Sequence, residues 1–190
     1  MTTPTFRFAT PADTTALVDL IERAYRGPET AGQWDSESHL LTGPRTSHAE
    51  VSGLIARADT RFVLAEDAGR LIGCALIQQT GSTACSPSES PAGSDNAAYF
   101  GMFATDPTLR AAGLGKLVLA EAEARARALW NVPAVVMTVI SVREGLIAWY
   151  ERRGYRLTGA RIPFPFDTEG GALRRDFDLV ELRRDFPPQA

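Results

Sequence analysis

The sequence predicts an α/β fold built on a mixed β-sheet, and two observations carry this prediction. The stretch from Tyr99 to Ile140 has the order strand, helix, strand, which makes a right-handed crossover between parallel neighbours. Earlier in the chain, the apolar segments Arg61 to Glu66 and Leu71 to Gln79 are joined by Asp67-Ala68-Gly69-Arg70, a turn sequence that predicts a hairpin. A sheet that contains both kinds of connection is mixed.

The N-terminal part predicts one short strand and two helices. The strand spans Phe6 to Ala9, and a helix follows in which Thr10 is the cap and Pro11 the first helical residue. A second helix begins where Ser47 and Glu50 form a capping box. Apolar residues follow both starts at the i, i+3, i+4, i+7 spacing of a buried helix face. The segment between the helices is polar and rich in turns, so we expect substrate contacts there.

The C-terminal part begins after an aperiodic loop from Gly81 to Asn96, which is rich in Ser, Pro and Gly. A helix from about Gly113 to Trp130 follows the Tyr99 strand, and the apolar run Ala134 to Ile140 predicts a strand buried on both faces. A further helix reaches Arg153, and Phe177 to Leu182 predicts the final strand.

The composition limits the classes of protein to consider. A chain of 190 residues predicts one domain over residues 1–190, with 44% apolar and 23% charged residues, as in other globular proteins. No apolar run approaches the roughly 20 residues that span a bilayer, and a secretory signal is not visible, so we expect no membrane partner and a cytoplasmic location. The net charge of -3 argues against a nucleic-acid partner. Two isolated histidines and two distant cysteines lack metal-ligand spacing, so we expect no metal.

The turn after the Tyr99 strand carries the main functional signal. Arg110, Gly113 and Gly115 stand in the spacing Arg-x-x-Gly-x-Gly immediately before a helix. Glycines let the backbone approach a ligand, and the unpaired N–H groups of the helix start favour an anion such as a phosphate. A P-loop does not fit, because Leu117 stands where its hydroxyl belongs, and a dinucleotide fingerprint does not fit either. The motif therefore predicts a nucleotide-like cofactor.

This turn resembles the pyrophosphate-binding motif of the GNAT acetyltransferase superfamily, whose members bind acetyl-CoA there. The segment Ile140 to Tyr155 resembles a second GNAT pattern, Asn-x-x-Ala-x-x-x-Tyr-x-x-x-Gly-Phe/Tyr, with Arg143 and Leu146 in place of the Asn and the Ala. The resemblance covers nearly the whole chain. It implies the GNAT fold, a mixed, mostly antiparallel sheet of about six or seven strands with a central splayed parallel pair and helices on both faces.

The resemblance also implies the cofactor contacts. Acetyl-CoA is the expected cosubstrate, and Arg143, which replaces the Asn that contacts the pantetheine arm, is expected to reach a cofactor phosphate or the substrate. The remaining contacts are Phe103, Ala104 and Thr105 for the pantetheine arm, and Arg110, Ala111, Ala112, Gly113, Leu114, Gly115 and Lys116 for the pyrophosphate.

Tyr150, which matches the Tyr of the second pattern, is the candidate general acid. A phenol of pKa about 10 is protonated at neutral pH and can protonate a departing thiolate. An aromatic residue at helical spacing from Leu146 is also typical of a core. No general base is assigned: Glu37, Asp35 and Glu66 are candidates by position alone, each expected to be a surface carboxylate.

Substrate contacts are expected from Tyr25, Trp34 and Arg45, because an aromatic ring with a nearby Arg can bind an aromatic or carboxylate-bearing molecule. Packing over the first two helices is the alternative role for these residues. The segment Pro163-Phe164-Pro165-Phe166 has three interpretations: a lid, a contact in a homodimer, or core.

The function that these residues indicate is N-acetylation. Acetyl would move directly from acetyl-CoA to a primary amine of a small molecule or peptide. The alternative is a non-catalytic GNAT-like domain that binds acyl-CoA as a sensor or interaction module. Oligomeric state and acceptor are left open.

Overall fold

The computed structural model describes residues 3–30, 37–81, 96–109, 113–166 and 171–187. In these residues seven strands form one sheet. They are β1 (Thr5–Phe8), β2 (Thr60–Asp67), β3 (Arg70–Gln79), β4 (Ala98–Thr105), β5 (Ala134–Ile140), β6 (Arg156–Ile162) and β7 (Leu179–Asp185). The α-helices are α1 (Thr14–Arg26), α2 (His48–Ala56), α3 (Leu114–Trp130) and α4 (Glu144–Glu151). None of these described helices is long and apolar enough to cross a membrane.

The sheet has the order β1-β2-β3-β4-β5-β7-β6. Every neighbouring pair is antiparallel except β4 and β5, which are parallel and are joined by the α3 crossover. In the parallel pair, Ala98 pairs with Val135 and Tyr99 with Val136, and the pairing ends there. The two strands therefore separate towards their carboxyl ends. The predicted fold class is confirmed, including the splayed central pair.

Helices cover both faces of the sheet because the strands are apolar on both faces. On one face, Val118 and Leu119 of α3 and Tyr150 of α4 pack with Ile77 and Phe100 in the larger core cluster. The cluster on the other face joins α1 and α2 to the sheet, through residues that are all buried: Leu17, Leu20, Ile21, Val51, Leu54, Phe62, Leu64 and Leu76. The site described below opens between these two layers.

The starts of α2 and α3 agree with the sequence, whereas Thr10 caps a short 3-10 helix over Pro11–Asp13 and α1 begins at Thr14 instead of the predicted Pro11. Ser47 accepts a hydrogen bond from the Glu50 N–H at 3.1 Å, while the Glu50 carboxylate accepts one from the Thr46 hydroxyl at 2.8 Å. Gly113 is the N-cap of α3 and has a φ of 72°, a left-handed conformation that favours glycine. Both starts place their helices within one residue of the predicted positions.

Candidate active site

A β-bulge in β4 shapes the gap between the splayed strands. Cys74 is opposite Ala104 and Leu76 is opposite Gly101, so Met102 and Phe103 together face one residue of β3. Met102 has a φ of 41°, in the left-handed region that non-glycine residues seldom adopt. A bulge bends its strand and redirects its side chains, and this one lies just beyond Tyr99, where the pairing of β4 with β5 ends.

An open cavity of about 180 Å³ lies in this gap. It is bounded by β4 and β5, by the chain between α1 and α2, by α4 and by the residues that follow β6. The residues that line it and enter the argument below are Tyr25, Arg26, Glu37, Leu41, Arg45, Glu50, Tyr99, Phe103, Ile140, Arg143, Tyr150, Phe164 and Pro165. The cavity thus joins the predicted cofactor strand to the predicted substrate segment.

Tyr150 lies at the centre of an aromatic cluster in the cavity wall and is 4% exposed. Its ring meets those of Trp149, Tyr155 and Phe100 edge-on, with centroids 5.0, 5.6 and 6.5 Å away. Burial raises the pKa of Tyr150 far above the ordinary value of 10.0, and the nearby charge of Arg143 offsets only part of this effect. The phenol is therefore protonated throughout the neutral range.

Glu37 is buried in the cavity wall, at 6% exposure, and two guanidinium groups hold its carboxylate. Arg143 donates to Glu37 Oε1 at 2.5 Å, and Arg26 donates to Oε2 at 3.0 Å. Burial alone would raise the pKa of Glu37, but the charges of Arg143, Arg45 and Arg26 outweigh it and lower the pKa. The expectation that Glu37 is a surface carboxylate is wrong, because these ion pairs compensate its burial. A carboxylate held in this way is a weak base.

The other two candidate bases lie elsewhere. Glu66, at the β2 end that pairs with β1, accepts a hydrogen bond from Arg7 at 2.7 Å. Asp35 lies outside the described residues. Among the described residues, no group of three or more His, Cys, Asp or Glu is placed to hold a metal ion.

The structure brings Tyr25 and Arg45 together in the cavity wall. The Arg45 guanidinium carbon lies 5.1 Å from the centre of the Tyr25 ring. Glu22 accepts hydrogen bonds from the backbone N–H groups of Arg45 and Thr46 at 2.6 and 2.8 Å, which fixes the chain at this point. Burial raises the pKa of Tyr25 to about 12. Trp34, the third predicted substrate residue, lies outside the described residues.

A link between distant chain segments closes the cavity wall. Leu41 and Ala172 form an antiparallel bridge, with hydrogen bonds from Thr42 N to the Gly171 carbonyl at 2.9 Å and from Leu173 N to the Leu40 carbonyl at 2.8 Å. Beside it, Phe164, Phe166 and Phe177 pack with ring centroids 5.0 Å apart. Of the three interpretations of residues 163–166, these contacts support core packing, while a lid and a homodimer contact stay predictions.

The predicted cofactor segment is described in part. Phe103, Ala104 and Thr105 form the carboxyl end of β4, and Gly113, Leu114, Gly115 and Lys116 open α3, while residues 110–112 lie outside the described residues. A Cβ on Gly115 would lie 3.2 Å from the Phe103 ring, so the helix start approaches the strand end closely. Glycine fits this approach, and the N–H groups at the helix start suit an anion.

Sequence reasoning missed the partnership of Glu37 with Arg143 and Arg26. The one available signal was Arg143 itself, which replaces an Asn at the predicted cofactor site. An arginine that is buried at such a site needs a carboxylate nearby. Another unforeseen contact joins β4 to β5 across the gap, where the Tyr99 and Thr138 hydroxyls lie 3.2 Å apart.

Comparison with known proteins identifies the family. Residues 15–155 match the acetyltransferase (GNAT) family, whereas no curated protein matches the sequence. Among solved structures, a ribosomal-protein-alanine N-acetyltransferase from Brucella melitensis is 18% identical with a TM-score of 0.68, covering 96% of this chain and 99% of its own. The ribosomal-protein-S18-alanine N-acetyltransferase from Escherichia coli is 15% identical with a TM-score of 0.69, covering 98% of this chain and 96% of its own.

A spermidine N-acetyltransferase that is a chimaera from Vibrio cholerae and hSSAT has a TM-score of 0.65 at 17% identity, with 97% of this chain and 96% of its own length covered. At such identities these likenesses show the fold, and the match over residues 15–155 shows the family. The chain is therefore an acyltransferase that belongs to the GNAT family of acetyltransferases.

Proposed function

We propose that this protein transfers acetyl directly from acetyl-CoA to a primary amine of a small molecule or peptide, with Tyr150 as the general acid. The observation that carries the proposal is the position of Tyr150, a buried phenol in the wall of a cavity that joins the β4–β5 gap to the segment between α1 and α2. The solved relatives that act on amines by name, a spermidine and two alanine N-acetyltransferases, support an amine acceptor.

The described residues fit a CoA thioester. The pairing of β4 with β5 ends at Tyr99, so the edge of β4 at Phe103, Ala104 and Thr105 that would face β5 suits the pantetheine arm. The close approach of Gly115 to Phe103 leaves the N–H groups of the α3 start beside this gap. The pyrophosphate would bind there, at residues 110–116. Arg143 faces Glu37 in the cavity, which supports the substrate side of its two expected roles.

Tyr150 would serve the step in which the thiolate leaves. The amine nitrogen forms a bond to the thioester carbonyl carbon, the carbon–sulfur bond breaks, and Tyr150 donates its proton to the sulfur. The amine loses one proton when the amide forms. This proton returns to Tyr150 and restores the phenol, so all protons are accounted for. Because burial raises the pKa of Tyr150, its phenolate is a strong base that readily takes this proton back, directly or through water.

Tyr150→Phe tests the role of the hydroxyl. We expect kcat to fall by about 100-fold or more, since general acids contribute about 10²- to 10⁴-fold. Acetyl-CoA affinity and the melting temperature should stay close to those of the wild type, because the ring and its packing are kept. Steady-state kinetics, calorimetry and thermal unfolding measure these quantities, and an unchanged kcat would remove Tyr150 from the mechanism.

A non-catalytic acyl-CoA-binding module is the second candidate, and one observation favours it. Among the described residues, the two carboxylates that line the cavity already accept hydrogen bonds within the protein, Glu37 from two arginines and Glu50 from Thr46. Incubation with acetyl-CoA and a panel of amines discriminates the two functions through release of free thiol. Tight binding of acetyl-CoA with no thiol release across the panel would favour the module.

A further inference from the structure

Two hydroxyl groups meet where β4 and β5 separate. The Tyr99 Oη and Thr138 Oγ1 atoms lie 3.2 Å apart, a distance at which either hydroxyl can donate a hydrogen bond to the other. Tyr99 pairs with Val136, where the pairing of the two strands ends, and Thr138 lies two residues further along β5. The contact therefore spans the opening of the gap, beyond the last backbone pair.

The lack of a side chain at Gly101 allows the Tyr99 ring to lie in this direction. A Cβ on Gly101 would lie 2.7 Å from a ring carbon of Tyr99 and 3.4 Å from its hydroxyl oxygen. The ring therefore extends along β4 over Gly101, towards the carboxyl end of the strand, and carries its hydroxyl into the gap. Tyr99 is only 9% exposed, so packing holds the ring in this orientation.

The hydroxyl pair is accessible from the cavity. Tyr99 and Thr138 both line it. Within β5, which the structure describes in full, Thr138 alone is not buried. A hydroxyl has one donor and two acceptor lone pairs, so Thr138 can bind a polar ligand while it keeps its hydrogen bond with Tyr99.

Tyr99 and Tyr150 approach the gap from opposite faces of the sheet. Neighbouring residues of a strand point to opposite faces, and Phe100 packs with Tyr150 in the core cluster under α3 and α4. Tyr99 therefore points to the face that α1 and α2 cover, where Tyr25 of the predicted substrate site also lines the cavity. A thioester in the gap would have the general acid on one face and the hydroxyl pair on the other.

An attacking amine needs hydrogen-bond acceptors on the side away from the thioester. Its nitrogen must present the lone pair to the carbonyl carbon, so its N–H bonds point backwards. Hydroxyl oxygens can accept these N–H bonds, and two oxygens 3.2 Å apart are both within reach of one nitrogen. An amine that is held in this orientation reacts faster than one that must find it by chance.

We propose that the hydroxyl pair of Tyr99 and Thr138 binds the acceptor amine and directs its lone pair at the thioester carbon. This inference rests on the proposed function for the reaction itself, in which Tyr150 keeps its role on the opposite face. The pair neither gains nor loses a proton overall, because it only accepts hydrogen bonds from the nitrogen. Gly101 is a positioning residue, since it acts through the ring of Tyr99.

Removal of each hydroxyl tests the pair. Tyr99→Phe keeps the ring over Gly101, and Thr138→Val keeps the shape of its side chain. The acceptor is benzylamine, spermidine or L-alaninamide, whichever the wild type acetylates fastest. We expect kcat/KM to fall by about 3- to 10-fold in each variant, the effect of one lost hydrogen bond. Thr138→Ser, which restores the hydroxyl, should recover most of this loss. An unchanged kcat/KM in both variants would overturn the inference.

The double variant shows whether the two hydroxyls act on one nitrogen. If they do, the second removal costs less than it does alone, so the combined loss is smaller than the product of the single losses. Thr158→Val is the matched control, because Thr158 is an exposed residue of β6 outside the cavity wall, where its hydroxyl accepts a hydrogen bond from the Ala160 N–H. Single losses that multiply, or an equal loss in the control, would contradict the inference.

Amine binding separates this role from others. Calorimetry on the protein saturated with CoA should show the amine bound about 3- to 10-fold more weakly by Tyr99→Phe and Thr138→Val, with acetyl-CoA affinity unchanged. A fall in kcat with unchanged amine binding would indicate hydrogen bonds to the thioester carbonyl instead, and would overturn the inference.

The same titrations keep the inference apart from the proposed function. Weaker amine binding in the two variants, with no release of thiol from acetyl-CoA by the wild type, would support the hydroxyl pair and remove the proposed function. Acetylation at equal rates by wild type and variants would leave the proposed function standing without the pair. If none of the three amines binds to the wild type, the inference is wrong.

Discussion

Replacement of Glu37 by Gln tests whether its carboxylate holds the cavity wall together. The substitution keeps the shape and one acceptor oxygen but removes the charge that Arg143 and Arg26 share. Breaking a buried ion pair costs about 3–5 kcal/mol, because the partner charge stays buried. Arg26 keeps its hydrogen bonds to the Gly43 and Tyr25 carbonyls, which favours the lower end of this range. We expect a loss of about 3 kcal/mol in the free energy of unfolding.

Chemical denaturation at neutral pH measures this loss directly. For a chain of this size, about 3 kcal/mol corresponds to a fall of about 10 °C in the melting temperature. Glu121→Gln is the matched control, since Glu121 forms an i, i+4 pair with Arg125 at 2.7 Å on a partly exposed helix face. That pair contributes only about 0.3–0.5 kcal/mol. A loss in Glu37→Gln no greater than in the control would refute the argument.

The pH dependence gives the same prediction a second readout. The pKa of Glu37 is lowered from its ordinary 4.5, so its carboxylate stabilises the folded protein fully above that value. The stabilisation is lost as the pH falls through the lower pKa of the folded state. The difference in stability between wild type and Glu37→Gln should therefore be constant near neutrality and shrink below about pH 4.5. A difference that grows on acidification would contradict the assigned direction of the pKa.

Three further substitutions test separate parts of the structure. In Gly171→Ala, a Cβ would lie 2.3 Å from Thr42 Oγ1 and disturb the link between Leu41 and Ala172 in the cavity wall, so KM for the acceptor should rise. Gly171 has a φ of 80°, which strains any other residue. Gly159→Ala, at a φ of 88° with open space around it, is the control for that backbone strain. Gly115→Ala crowds Phe103 at 3.2 Å and should weaken acetyl-CoA binding in calorimetry, whereas Gly53→Ala, within α2 and in open space, should not. In Tyr155→Phe, Glu123 loses a 2.7 Å hydrogen bond, and denaturation should show a loss of about 1–3 kcal/mol with acetyl-CoA affinity unchanged. An unchanged stability would mean that the Arg184 bond to Glu123 satisfies that carboxylate alone.

Local signals in the sequence were sufficient for most of the fold. The buried run Ala134–Ile140 has the predicted bounds, and α3 begins one residue after the Gly113 cap, because apolar runs and capping residues act on their own neighbours. The final strand was placed two residues too early, since Phe177 and Asp178 precede it. Strand β6 was not located, because it lies at the sheet edge with most side chains exposed and a left-handed Gly159 within it.

The candidate site was predicted less completely than the fold. Tyr150 was found from a motif within one helix, and its catalytic role stays a prediction, as does the single domain over residues 1–190. The β4 bulge at Met102 depends on pairing with β3 and leaves no mark in the local sequence. Glu37 and Arg143 are 106 positions apart, so their contact follows only from the folded chain.

The link between Leu40–Thr42 and Gly171–Leu173 has a consequence for attempts to exchange specificity between relatives. Thr42 and Gly171 are 129 positions apart, so one wall of the cavity is made jointly by the first and last quarters of the chain. A graft of the segment between α1 and α2 alone would therefore meet a foreign partner after β6. Acceptor preference in this protein should move to another scaffold only when both segments are transplanted together.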